Sequence, residues 1–108
     1  MRILLDHNTP APLRHWLVGH AVETAYERGW AELTNGTLLA QAEEAAFHVM
    51  ITTDKGIPFQ QNLVGRRLAL IVIDTNDWTR IRHWRPLVLA ALAKIAPGAV
   101  IEIAIPYP

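Results

Sequence analysis

Six consecutive apolar residues, Leu68-Ala69-Leu70-Ile71-Val72-Ile73, constrain the fold of this chain more than any other feature. A strand with one wet face alternates apolar and polar side chains. A run of branched residues with no polar break is instead a strand buried on both faces, as in a parallel sheet covered by helices. Two shorter runs of the same kind each end on an aspartate: Arg2-Ile3-Leu4-Leu5-Asp6 and His48-Val49-Met50-Ile51-Thr52-Thr53-Asp54. Ala21–Ala25 and Ala99–Ile105 add two further strands. Helical signals fall between them. Asn8-Thr9-Pro10 starts a helix carrying Leu13, Trp16 and Leu17, and Gly19 stops it. Thr34-Asn35-Gly36 opens a second, with Leu38, Leu39, Ala42, Ala45 and Ala46 inward. Ile57 to Leu63 predicts a short helix begun by Pro58. Pro86 to Ala96, with Leu87, Val88, Ala91, Leu92 and Ile95 inward, ends at Pro97-Gly98. Tyr26 to Glu32 is one helical turn or a loop. The order predicts one α/β domain over residues 1–108, three layers deep, with a mostly parallel sheet of about five strands flanked by helices.

Composition excludes several classes of chemistry. The 108 residues include no cysteine and no serine, so there is no disulfide framework, no thiolate metal site and no Ser or Cys nucleophile. No apolar run of about 18 residues crosses a membrane, and Asp6 and His7 interrupt the early apolar stretch that a signal peptide needs. A cytoplasmic location is the expectation. Formal net charge is zero, so any nucleic-acid contact must use a local patch. The histidines lack HExxH spacing, and no glycine-rich phosphate loop is present.

In open α/β sheets ligands bind beyond the carboxyl ends of the strands. If the first and third strands are neighbours, Asp6 and Asp54 share a crevice that favours a bound cation. The competing reading is that each aspartate only caps its own turn. Asn35, at a helix start facing the same crevice, is a candidate third oxygen ligand, with a plain N-cap as its alternative. Glu43, two turns further on, is a weaker candidate that depends on its helix face. His7 is another, against a loop histidine bonded to its neighbour. Lys55, Arg66 and Arg67 are expected near the Asp54 end. Arg80, Arg82, His83 and Arg85 form a second basic cluster beside Trp78 and Trp84, suited to phosphate pairing and base stacking or, more simply, to a solvated helix face.

Taken together, Leu5-Asp6 with Pro10, Asn35-Gly36 leading to Ala42-Glu43, Thr53-Asp54, and Gln60-Gln61-Asn62-Leu63 with Arg67 resemble the short PIN-like proteins of a family otherwise of unknown function. The resemblance covers nearly the whole chain, and the Gln60 to Leu63 run is its distinctive part. It implies a compact PIN-type fold and a Mg²⁺- or Mn²⁺-dependent ribonuclease, often the toxin of a toxin–antitoxin pair. RNA, a small antitoxin protein and a second copy of the chain are the implied partners. Asp6 and Asp54 match the family's strand-end acids. Asn35 stands where many relatives have aspartate, His7 where an acid usually follows the first aspartate, and Gly56 where many have a further acid. Each departure removes charge, leaving a site suited to one ion rather than two.

On this reading a metal at Asp6 and Asp54 polarises a phosphate oxygen and acidifies a water, while Asn35 orients that water or ligates the ion. Lys55 or an arginine neutralises the phosphate. The alternative is a protein that has lost catalysis and binds RNA or a protein partner. A receiver-type phosphoacceptor is a third reading. It rests on Asp54 four residues before Pro58 and on Thr75 after the next strand, but there is no acidic pair after the first strand and no lysine in the last.

Overall fold

The computed structural model describes residues 1–107, with the side chains of Phe59 and Gln60 outside the described part. The chain runs through β1 (Arg2–Leu5), a 3-10 helix (Ala11–Trp16), β2 (Ala21–Thr24), α1 (Asn35–Glu44), β3 (Val49–Thr52) and α2 (Ile57–Gln60). It continues through β4 (Ala69–Ile73), α3 (Trp78–Ile81), a second 3-10 turn (Arg82–Trp84), α4 (Arg85–Lys94) and β5 (Val100–Ile103). The five strands form one sheet in the order β2-β1-β3-β4-β5, and every pairing is parallel. The expected α/β fold is what forms, with differences of detail. The first helix is a short 3-10 helix, opened by Pro10 and carrying Pro12 in its first turn, where the missing N–H groups have no helical partner to lose. Tyr26 to Glu32 is turn and loop. Trp78 to Trp84, unassigned by periodicity, is helical.

Strand alternation sorts the core into two layers. Ile3, Leu5, Val49, Ile51, Ala69, Ile71 and Ile73 point to one face, where Leu13 and Leu17, Ile81 of α3, and Val88 and Leu92 of α4 cover them. Leu4, Met50, Leu70 and Val72 point to the other, beneath Leu38, Leu39 and Ala42 of α1 and Ile57 of α2. β3 and β4 are buried along their whole length, as their unbroken apolar runs require.

This sorting fixes the hand of each crossover. The connections β2 to β3 and β3 to β4 step in one direction along the sheet over the α1 and α2 face. The connection β1 to β2 steps the other way over the opposite face, so these three share one hand. The connection β4 to β5 steps in the first direction but passes, through α3 and α4, over the face of the first 3-10 helix. Its hand is therefore opposite to the others. Parallel crossovers are right-handed in about 98% of cases, which marks this one as the exception. A Trp16–Trp78 contact, ring centroids 5.0 Å apart, ties α3 to the first 3-10 helix on that face. The other face of β5 is left without a helix, and Val100 and Glu102 are exposed there.

The α1 C-terminus closes with the Phe47 N–H on the Ala42 carbonyl and the Ala46 N–H on the Glu43 carbonyl, and Ala46 takes φ 62°. This is a helix stop in which the left-handed position usually falls to glycine. Ala46 is thus exposed rather than inward as periodicity predicted.

Candidate functional site

The carboxyl edge of the sheet gathers an acid from each of its three central strands. Asp6 follows β1, Asp54 lies two residues past β3, and Asp74 follows β4 directly. Thr52 pairs in register with Val72, so Asp54 and Asp74 stand two residues beyond the same rung.

Asp6 is the most enclosed of them, its side chain 2% exposed. Its Oδ2 accepts a hydrogen bond from Thr52 Oγ1 at 2.8 Å. Its Oδ1 accepts the His7 backbone N–H at 2.7 Å and faces His7 Nδ1 at 2.8 Å. Thr52, fully buried, also accepts the Asp54 backbone N–H at 3.1 Å. One hydroxyl thus links the two aspartates expected to share a site. Asp54 Oδ1 accepts the Gly56 N–H at 2.9 Å, and Asp54 Oδ2 accepts Asn35 Nδ2 at 2.8 Å. Asn35 is therefore not a simple cap. The N-cap position belongs to Thr34, which makes no side-chain capping bond, and Asn35 spends its amide on Asp54. Gly36 beside it lies close under Gln61: a Cβ there would lie 2.9 Å from Gln61 Oε1, the movable end of a long side chain, which joins the Asn35-Gly36 pair to the glutamine run. The Gln60 side chain of that run lies outside the described residues.

An open cleft of about 370 Å³ occupies this edge, lined by Asn8, Thr53, Asp54, Asp74, Thr75 and Asn76. Asp6 is not part of its lining. Asp74 is the acid that sequence reasoning passed over, although Leu68 to Ile73 followed by Asp74 repeats the pattern that singled out Asp6 and Asp54. Asp74 Oδ1 also accepts the Ile105 N–H at 3.0 Å, which leaves Oδ2 for the cleft.

Two expectations about neighbouring residues are corrected. Glu43 does not reach the crevice. It sits at the far end of α1, and its carboxylate accepts the N–H groups of Arg67 at 3.0 Å and Leu68 at 2.7 Å, at the amino edge of β4. Burial acts to raise its pKa, but those two N–H groups and the charges of Arg66 and Arg67 outweigh it and hold the carboxyl below its ordinary value. Arg66 and Arg67 likewise precede β4 and lie at that amino edge, not beside Asp54. Lys55 alone of the first basic group adjoins the cleft acid, and it is exposed. In the second group Arg80 is engaged, donating to the Ile105 carbonyl at 2.7 Å and lying 3.9 Å from the Tyr107 ring centre. Arg82, His83 and Arg85 are exposed, while Trp78 and Trp84 pack against the core.

Among the described residues no three His, Asp or Glu side chains converge closely enough to hold a metal ion by themselves. The cleft does supply hard oxygens of the kind Mg²⁺ and Mn²⁺ take, with Asp54 and Asp74 as its charged members. That donor set fits one hydrated ion and does not fit two. Among the described residues no helix is long and apolar enough to cross a membrane. Comparison with protein-family models, curated proteins and solved structures returns no match.

Proposed function

We propose that this protein is a PIN-like ribonuclease that works with one Mg²⁺ or Mn²⁺ ion in the cleft between β3 and β4. The observation that carries the reading is the placement of Asp6, Asp54 and Asp74 at the ends of three adjacent strands, two of them open to one cleft. Asp54 and Asp74 would hold the ion, together with water. Bound there, it would neutralise phosphate charge and lower the pKa of a water. Asp6 acts at one remove: through Thr52 it fixes the backbone that presents Asp54. Asn35 fixes the other side of that carboxylate. Asn8 and Asn76 amides and the Thr75 hydroxyl offer donors to phosphate or ribose oxygens, the Thr53 hydroxyl being donated to the Asn8 carbonyl, and Lys55 adds a cation at the rim. A cytoplasmic toxin held by a small antitoxin belongs to the same reading. An antitoxin-sized reading frame directly beside the gene would support that part of it, and its absence would count against it.

The test is cleavage of a generic end-labelled single-stranded RNA with Mn²⁺. Asp54→Asn and Asp74→Asn should each lower the rate at least about a hundredfold, the loss of about 3 kcal/mol of transition-state stabilisation. Equal rates in wild type and both variants would overturn the reading. A second reading, RNA binding without cleavage, is favoured by one observation: an N–H of the neutral Asn35 amide occupies Asp54 Oδ2, an oxygen the metal ion would take. RNA bound by the wild type but left intact with Mn²⁺ selects it.

A further inference from the structure

At the amino edge of the sheet, opposite the cleft, a cavity of about 350 Å³ lies between the C-terminal ends of α1 and α4. The two sites are separated by the length of the strands, about 15 Å. The volume is within the range of small-molecule sites, about 300 to 1,000 Å³. Phe47, Val49, Ala69, Ile95 and Pro97 give it apolar walls, and its polar members are Glu43, His48 and Arg67.

The state of those three groups selects the ligand. The Glu43 charge is already answered by the N–H groups of Arg67 and Leu68, so it offers no strong call on a cation. Among the described residues the Arg67 guanidinium makes no ion pair. His48 Nδ1 accepts the Arg2 backbone N–H at 2.9 Å, so a neutral ring carries its proton on Nε2 and presents a donor. His48 and Arg67 are both exposed members of the lining, so they offer a donor and a cation to the polar end of an occupant, and a cationic ligand would meet a guanidinium.

We propose that this cavity binds a small amphipathic carboxylate, with an aromatic ring or short branched chain between the apolar walls and the carboxylate on Arg67 and His48 Nε2. The proposal is independent of the nuclease reading.

The experiment is an amide NMR titration of the full chain with 1-naphthoate, with 1-naphthalenemethanol as the neutral comparator. Saturable shifts should centre on Phe47, Val49, Arg67 and Ala69. Arg67→Ala should weaken binding about tenfold or more, as loss of a charge-assisted hydrogen bond does. Ala96→Phe enlarges an exposed wall residue and should abolish binding, while an unchanged amide spectrum elsewhere reports an intact fold. The proposal fails if no shift saturates below about 5 mM. It fails equally if the alcohol binds as tightly as the carboxylate, if both variants bind like the wild type, or if the shifts centre on Asp54 and Asp74.

Discussion

Thr52→Val tests the link between the buried and open aspartates. Valine matches threonine in shape, so packing around this fully buried position is kept and only the hydroxyl is lost. Two bonds go with it. One is donated to the Asp6 carboxylate at 2.8 Å, and a hydrogen bond to a charged group contributes about 1.5–3 kcal/mol. The other is accepted from the Asp54 N–H at 3.1 Å. That N–H is only partly buried and can turn to water, so its loss belongs at the low end of the range, about 1 kcal/mol. The expected cost is about 3 kcal/mol against a total stability of about 5–15 kcal/mol, with a fall in Tm on the order of 15 °C. Urea unfolding of the wild type, Thr52→Val, Asp6→Asn and the double variant gives the coupling directly; the two changes should fall short of additivity by at least about 1 kcal/mol. A cost under about 1 kcal/mol with additive singles would refute the argument, because the hydroxyl bridge would then carry no energy.

Further outcomes follow from particular contacts. Ala46→Gly relieves the left-handed position at the α1 stop, about 1–2 kcal/mol, and adds unfolded-chain entropy of about 0.4–1 kcal/mol, so thermal unfolding should show a net gain of about 0.5–1 kcal/mol. Glu43 has a depressed folded pKa, so its stabilisation is present above the ordinary glutamate value and is lost as pH falls through the lower folded value. Glu43→Gln should therefore be less stable than wild type at neutral pH, with the gap closing in acid; a gap that widens in acid would reverse the assignment. A small phosphodonor should leave the mass of the protein unchanged, since Ala104 rather than a lysine follows β5. A gain of one phosphoryl group at Asp54 would revive the receiver reading.

How much was legible in the sequence depended on whether the information was local. The unbroken run at 68–73 identified a strand buried on both faces, and β4 is one. Asp6 and Asp54 were visible because each closes an apolar run, and the structure does place both at one sheet edge. Asp74 carries the same signature, closing the 68–73 run directly. Arg66 and Arg67 were misplaced for a topological reason: residues just before a parallel strand lie at its amino edge, however near in sequence they are to the acid that closed the previous strand. The partner of Asn35 was not legible, because a helix-opening asparagine is equally suited to capping, and only the three-dimensional approach of Asp54 decides.

The hand of the last crossover was invisible to periodicity, yet it shapes the site. In an open parallel sheet a crevice opens where the connections leaving two adjacent strands turn to opposite faces. Here the chain leaves β1 toward the face of the first 3-10 helix and leaves β3 toward the α1 and α2 face, which opens one crevice, the place of the Asp6–Thr52 bond. With a last crossover of the usual hand, the chain leaving β4 would follow that leaving β3 and close over it. Instead it turns back to the first face, so a second crevice opens between β3 and β4. The cleft lined by Thr53 and Asp54 on one side and Asp74, Thr75 and Asn76 on the other is that second crevice. The exceptional crossover leaves one face of β5 bare, and it opens Asp54 and Asp74 to one cleft.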